Sequence, residues 1–482
     1  MRKLLVLLCL VLALGLFAVC AIGATVSKGR DQVTFSPRHL YGDPTAAQDA
    51  TLTMRADFDS HLLWDITYPI GGEAQTDFRV SLRELSFEGR PNLSGINMYE
   101  DMEYGLDTRK SSEELEGIER AYRELFDRTE PGTKGTAEIR LQDYYTYYPI
   151  RIDINLPGTL WHGLDYEDLA SDDFANERAV WDAFRAFFRI PIPDDLPAFE
   201  ISVVKNVDGS IGGVGSSAPK EGKHYSFYAE AAHTSDTCYL AITNRYGEGY
   251  VDTSLIPGGY GIYSFTYTNV RNDKNTQGNV TVFHPGYVTG VHAETLAMVY
   301  PLDESILVRE MFITPDEERL LVMCEDRAGA VSLLVIDAAT MAQIQTIPVT
   351  ENEWVSIHQE DDFFVLFYDK QLSVYERCAD GSYTRVLTGE QPYAVNGAFG
   401  DVSANDEMDL ESGRLIIVSL LKEPRYRSML IASVSVAVYD ASGLTYYGEY
   451  DNSLAVNPIT NIYDDNVNPV AYEIKWQSSG DG

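Results

Sequence analysis

Four tyrosines within five residues, Tyr144, Tyr145, Tyr147 and Tyr148, form the most unusual local feature of this 482-residue chain. They lie in residues 141–156, LQDYYTYYPIRIDINL. Read as a strand, this run puts alternate side chains on opposite faces. Tyr144 and Tyr148 then share a face with Ile150, Ile152 and Ile154, an apolar set that reads as buried. Tyr145 and Tyr147 share the other face with Arg151 and Asp153 and point outward. Outward aromatics stack on sugar rings or anchor a protein interface. The competing use is packing between sheets or under a helix. Tyr145 and Tyr147 are the candidate ligand-binding residues.

Polar residues alternate in a second stretch: Asp401, Ser403, Asn405, Glu407 and Asp409. Calcium loops place oxygen ligands at such alternate positions. Two positions break the match. Asp406 stands where the sharp turn needs Gly, and Ser412 where a bidentate Glu belongs. A solvated loop is the expectation here, and also for Asp464, Asp465, Asn466 and Asn468. The glycine-rich residues 208–215 lack the GxGxxG fingerprint and any following GK[ST], and read as a hairpin or loop. The eight histidines are scattered, with no HExxH and no close Cys partner. No GxSxG nucleophile elbow occurs. These residues assign no catalytic set, metal or cofactor. Catalytic residues gathered from distant loops leave no local trace.

Charge narrows the partners. Lys+Arg is 37 against Asp+Glu 73, a net charge of −36, so nucleic acid is not expected to bind. Residues 4–24 carry no charge, and as a helix they would span about 31 Å, close to a bilayer's hydrocarbon thickness. Arg2 and Lys3 precede them, and Lys28 and Arg30 follow. The expectation is a single-pass anchor over residues 1–27, N-terminus in the cytoplasm and the rest outside. A cleaved signal peptide is the alternative, with Ala21-Ile22-Gly23 as its exit. Cys238, Cys324 and Cys378 are far apart in apolar, strand-like contexts. They read as buried small residues, not as a disulfide framework.

The elements that would position these residues are mostly short strands. Residues 28–50 read as a polar spacer, and residues 51–482 as one extracytoplasmic body. Residues 51–58 and 77–82 alternate apolar and polar, the pattern of antiparallel sheet. Two helical insertions interrupt the strands. One lies near residues 111–127, with Leu115, Ile118, Tyr122, Leu125 and Phe126 on one face and Ser111 with Glu114 as a capping box. The other lies near residues 172–189, with Phe174, Trp181, Phe184, Phe187 and Phe188 as its apolar stripe and Pro191 and Pro193 beyond it.

Residues 306–348 read as four short strands joined by tight turns, one blade of a propeller. Strands at 363–367, 372–375 and 383–387 repeat the unit, and those at 414–418, 435–439 and 444–447 repeat it again. Val335-Ile336-Asp337-Ala338 and Val438-Tyr439-Asp440-Ala441 match at a separation of 103 residues, two repeats of about 50 residues each. Gly261 to Tyr267 reads as an outer strand of an earlier blade, with residues 225–232 and 237–243 as its partners.

Phe312-Ile313-Thr314-Pro315-Asp316 followed by Arg319-Leu320 resembles the SPDG-x-x-L turn of TolB-like and YVTN-type bacterial propellers. Asp337-Ala338-Ala339-Thr340 resembles the D-x-x-T-G turn of YVTN and quinoprotein-like blades. Glu317 and Met341 stand where those turns carry Gly. The resemblance covers about residues 295–455 and implies a fold, not an activity. It implies no quinone cofactor, because that family's ligands have no counterpart here.

The fold expected is therefore mainly β: a propeller of about seven or eight four-stranded blades with two helical insertions. A separate α+β domain over about residues 51–200 is the rival organisation. The function expected is a membrane-tethered, non-enzymatic module that binds a protein or peptide at the bacterial cell envelope. A carbohydrate or wall-polymer binder using Tyr145 and Tyr147 is one alternative. A hydrolase or lyase with acidic residues around a central channel is the other.

Overall fold

The computed structural model describes residues 32–58, 62–80, 95–100, 117–155, 172–217, 228–243, 252–272, 286–351, 355–392, 406–421, 433–453 and 467–477, with Gly15, Leu115, Val402 and Ser403. This portion is mainly β, with few helices and many antiparallel sheets consistent with a propeller. It divides into two compact units, Met1–Gly89 with Glu353–Gly482, and Arg90–Asn352.

The first unit opens with β1 (Phe35–Gly42), β2 (Ala50–Phe58), β3 (Leu62–Pro69) and β4 (Gln75–Val80). The second holds β5 (Gly95–Glu100), α1 (Gly117–Arg128), β6 (Lys134–Ile139), β7 (Ile150–Asn155), α2 (Asp172–Phe187), β8 (Phe199–Lys205) and β9 (Ile211–Ser217). It continues with β10 (Tyr228–His233), β11 (Thr237–Thr243), β12 (Gly261–Asn272), β13 (Gly286–Pro301), β14 (Leu307–Ile313), β15 (Arg319–Glu325), β16 (Ala330–Asp337) and β17 (Gln343–Glu351). The first unit then resumes with β18 (Ser356–Gln359), β19 (Phe363–Tyr368), β20 (Gln371–Arg377) and β21 (Tyr383–Glu390). It ends with β22 (Glu407–Glu411), β23 (Arg414–Leu421), β24 (Ser433–Asp440), β25 (Gly443–Asn452) and β26 (Val467–Trp476).

Three consecutive sheets confirm the repeat: β14-β15-β16-β17, β18-β19-β20-β21 and β22-β23-β24-β25. The matching Val335–Ala338 and Val438–Ala441 sequences close the third strands of the first and last of these. A further meander, β10-β11-β12-β13, precedes them. Residues 261–267 belong to its third strand, β12, and β13 is the outer one. The two ends of the chain are woven together in the first unit. β26 pairs with β2 to head the sheet β26-β2-β3-β4, while β1 pairs with β25 as a fifth, outer strand.

The second strands are apolar without alternation because both faces of their sheets are covered. In β23, Leu415 and Ile417 pack with Val365, Leu372 and Val374 of the β18–β21 sheet. Ile416 and Val418 pack on the other side with Leu52, Trp64 and Ile66 of the β26–β4 sheet. Each such buried side chain contributes about 1.5–3 kcal/mol relative to exposure.

Tight turns recur at the third-to-fourth strand connections. The Asp337 carboxylate accepts hydrogen bonds from Thr340 N and Oγ1 at 2.9 and 2.8 Å. Asp380 and Asp440 accept in the same way from Ser382 and Ser442. Those bonds hold all three carboxyls below their ordinary range. Glu317 and Met341, the two residues standing in for glycine, have φ of +60° and +54°. The turns therefore keep the left-handed geometry that normally favours Gly.

Residues 95–217 depart from the expected blade pattern. Among the described residues they form the two-stranded sheet β5-β7, the three-stranded sheet β6-β8-β9 and both helices. α1 packs on the β6-β8-β9 sheet, where Tyr122 Oη donates to Gly215 O at 3.1 Å, and α2 packs on the β10–β13 sheet, with Phe184 edge-on to Phe265 and Phe188 edge-on to Tyr263. Five sheets of four or more strands are described, so the expected count of seven or eight blades is not reached among these residues. The two helices lie where the helical insertions were expected, near residues 111–127 and 172–189. The predicted α1 face is buried at Leu115, Ile118, Tyr122, Leu125 and Phe126. Its Ser111–Glu114 capping box lies outside the described residues.

Candidate functional site

The tyrosine run is not a strand. Residues 141–143 form a 3₁₀ turn, and Tyr144 N and Tyr145 N both donate to Leu141 O at 3.0 Å. Strand β7 begins only at Ile150, after Pro149, which lacks an N–H for pairing. Alternation therefore does not govern the four tyrosines. Tyr148 is buried. Tyr145 is partly buried against the helical core, and its Oη accepts a hydrogen bond from Ile118 N at 2.9 Å. It thus satisfies an open amide at the start of α1. Gly117 makes room for it, since a Cβ there would lie 1.9 Å from that hydroxyl. Tyr147 is 37 % exposed and bridges Pro191. The two tyrosines thus have separate surroundings and form no shared outward face.

Titratable groups gather instead on the first strands of the sheets, which sequence reasoning missed. In the second unit β10 lies against both β5 and β14. β10 carries Glu230 and β14 carries Glu310. A bulge at Arg309 separates the pairs Val308↔Cys324 and Glu310↔Met323, and such insertions re-aim side chains. Arg309 Nε donates to Glu325 Oε2 at 2.5 Å. Burial, reinforced by the charge of Glu310, pushes the Glu230 carboxyl up to about 8. At neutral pH Glu230 is therefore mostly protonated and can donate a hydrogen bond.

The first unit has a related arrangement at β22. Asp406 Oδ2 accepts from Ser403 N and Ser419 Oγ, both at 2.6 Å. Burial raises its carboxyl, while those bonds and the nearby His358 oppose the rise. His358 Nε2 lies 3.1 Å from Glu360 Oε1. The expected solvated loop is thus corrected. Glu407 and Asp409 belong to β22, and Asp409 Oδ2 accepts from Trp476 N at 2.7 Å. Asp401, Asn405 and Asp464 to Asn466 lie outside the described residues, and Asn468 belongs to β26. A run of polar residues concealed a strand because its apolar partners, Met408 and Leu410, are few.

Residues 208–215 form the β8–β9 hairpin, with Asp208 accepting from Ser210 N at 2.9 Å. Cys238 and Cys324 are buried free thiols and Cys378 is a partly buried one. Among the described residues no group of His, Cys, Asp and Glu is arranged to hold a metal ion. No helix among them is long and apolar enough to cross a membrane, and residues 4–24 lie outside them apart from Gly15.

No family model matches the chain, and no curated protein matches it. Solved structures give distant likenesses. A provisionally named 6-phosphogluconolactonase of Bacteroides fragilis is 10 % identical, covering 90 % of this chain and 100 % of its own, with a TM-score of 0.29. The periplasmic gluconolactonase of Pseudomonas aeruginosa is 9 % identical, covering 83 % and 96 %, with a TM-score of 0.25. The dipeptidyl peptidase 4 of Porphyromonas gingivalis is 10 % identical, covering 85 % and 52 %, with a TM-score of 0.26. At these TM-scores the likenesses carry no argument about the site.

Proposed function

We propose that this chain is a propeller-type binding protein of the bacterial cell envelope, tethered through residues 4–24, whose ligand is a protein or peptide segment bearing an amino group. The observation that carries the reading is the carboxyl pair Glu230 and Glu310 on adjacent first strands. Glu230, its carboxyl raised by burial and by the charge of Glu310, offers a hydrogen-bond donor near a second carboxyl, a match for an ammonium group flanked by a carbonyl. The net charge of −36 favours the approach of a basic partner.

The test is fluorescence anisotropy of the full chain in nanodiscs with a lysine-rich, a neutral and an acidic peptide. Binding of the basic peptide alone, weakened at least tenfold in Glu310→Gln, is the expected result. Equal binding of all three, or no effect of the substitution, overturns the reading. Retention of residues 4–24 is checked by the N-terminal mass of the chain from membranes.

One observation favours a second reading, a hydrolase or lyase. A general acid must hold its proton at working pH, and a carboxyl raised to about 8 does so. Turnover of ester, glycoside or peptide substrates, lost in Glu230→Gln, would establish it. Unchanged turnover in that variant would remove it.

A further inference from the structure

The strand β1 is supernumerary. Among the described residues the other blade-like sheets have four strands, and β22 to β25 already make four. β1 covers the outer edge of β25 from Phe35↔Asn452 to Gly42↔Tyr446, and only residues 43–49 join it to β2. Its ties are specific. Arg38 pairs with Glu449, and His39 Nδ1 lies 2.9 Å from Tyr446 Oη. Phe35 stacks on Tyr68 with ring centroids 4.1 Å apart. Ser453 N donates to Thr34 O at 2.9 Å.

We propose that β1 is an exchangeable strap and that the outer edge of β25 accepts the Phe35–Gly42 strand of a second copy of this chain. Charge selects the occupant. The acceptor edge carries Glu449 and Asp451, and β1 sets Arg38 and Ser36 opposite them. The strap has no acidic residue, in a chain where acids outnumber bases about two to one. Chain topology allows the exchange, because residues 43–49 are a short connector between β1 and β2 that can carry the strand onto a neighbouring copy. Reciprocal donation makes a closed two-fold dimer in which every contact named above is kept. Repulsion between two chains of net charge −36 opposes it, so exchange is expected to rise with ionic strength.

The test uses two differently tagged full-length chains co-expressed in one cell, one carrying Ser36→Cys and the other Asp451→Cys, residues opposite each other in the register. A disulfide joining the two tags is expected, increasing with expression level. Crosslinking only when both cysteines lie on one chain, at every expression level, overturns the proposal. A second measurement does not depend on cysteine chemistry. Arg38→Glu and Glu449→Arg chains are each expected to be monomeric by light scattering, and to dimerise when co-expressed. A co-expressed pair that stays monomeric also overturns it.

Discussion

Ser235 Oγ donates a hydrogen bond to Glu317 Oε2 at 2.9 Å, while the Glu317 backbone holds a φ of +60°. Ser235 lies in the β10–β11 turn and Glu317 in the β14–β15 turn, so the bond ties two neighbouring sheets. It gives a reason for a glutamate at a turn position suited to glycine. Left-handed backbone costs a side-chain-bearing residue roughly 1–2 kcal/mol. Glu317→Gly relieves that strain and loses the bond, which contributes about 1 kcal/mol. The net change in stability is expected to stay within about 1 kcal/mol, and Ser235→Ala is expected to be nearly silent once Gly is present. Denaturant unfolding of the two single variants and the double variant measures this.

Ser412 isolates the same strain. It is exposed at the β22–β23 turn with φ +54°. Ser412→Gly is expected to stabilise the protein by about 0.5–1 kcal/mol. An unchanged or lower Tm would show that the turn holds another geometry.

Gly117 admits no side chain. Its φ is +57°, and a Cβ would meet the Tyr145 hydroxyl. Gly117→Ala is expected to cost at least about 2 kcal/mol. Tyr145→Phe, which removes the bond to Ile118 N, is expected to cost about 1 kcal/mol. Tyr147→Ala should change stability by less than about 0.5 kcal/mol. Calorimetry of the three variants gives the ranking.

Glu230 makes stability pH-dependent. Its carboxyl is raised in the folded chain to about 8 from a value near 4.5. The folded state therefore binds the proton more tightly, and its advantage is full below about 4.5 and lost as pH rises through 8. Glu230→Gln is expected to flatten this slope. At pH 8.5 the variant should be more stable than the parent by about 1–2 kcal/mol, after allowance for solvent screening. Urea midpoints for both chains between pH 5 and 9 test the sign.

Trp476 fastens the C-terminal strand. Its Nε1 donates to Arg414 O at 3.1 Å, and the Arg414 guanidinium lies 4.1 Å from its ring centroid. Trp476→Ala is expected to cost about 3–5 kcal/mol. Its unfolding is expected to begin with β26, read as early hydrogen exchange in β2.

The three repeats over residues 306–447 are legible because apolar runs of five residues and Asp-led turns recur at similar spacing. Leu415 to Val418 reads as a strand whatever its neighbours, since both its faces are covered. First strands were not legible: Ser356-Ile357-His358-Gln359 is short and mostly polar, and only its sheet identifies it. The carboxyl pair was hidden for the same reason, because Glu230 and Glu310 are 80 positions apart and meet through strand order. The tyrosine run misled by composition. Aromatics suit strands, but a Leu141-centred turn and Pro149 decide the backbone there. Joining β26 to β2 depends on pairing across more than 400 residues, which no local pattern records.

That joining of the ends sets a timetable. Residues 90–352 are contiguous and can fold as soon as they are synthesised. The β2–β4 strands are made before them, yet their sheet lacks β26 until residue 476 is added. At ordinary synthesis rates that interval is roughly 20–80 s. Throughout it the β2 edge, with Leu52 and Met54 beside it, stands open to any other extended chain. The protein that starts first finishes last, and whatever shields residues 50–80 during that interval decides how much of it reaches the folded state.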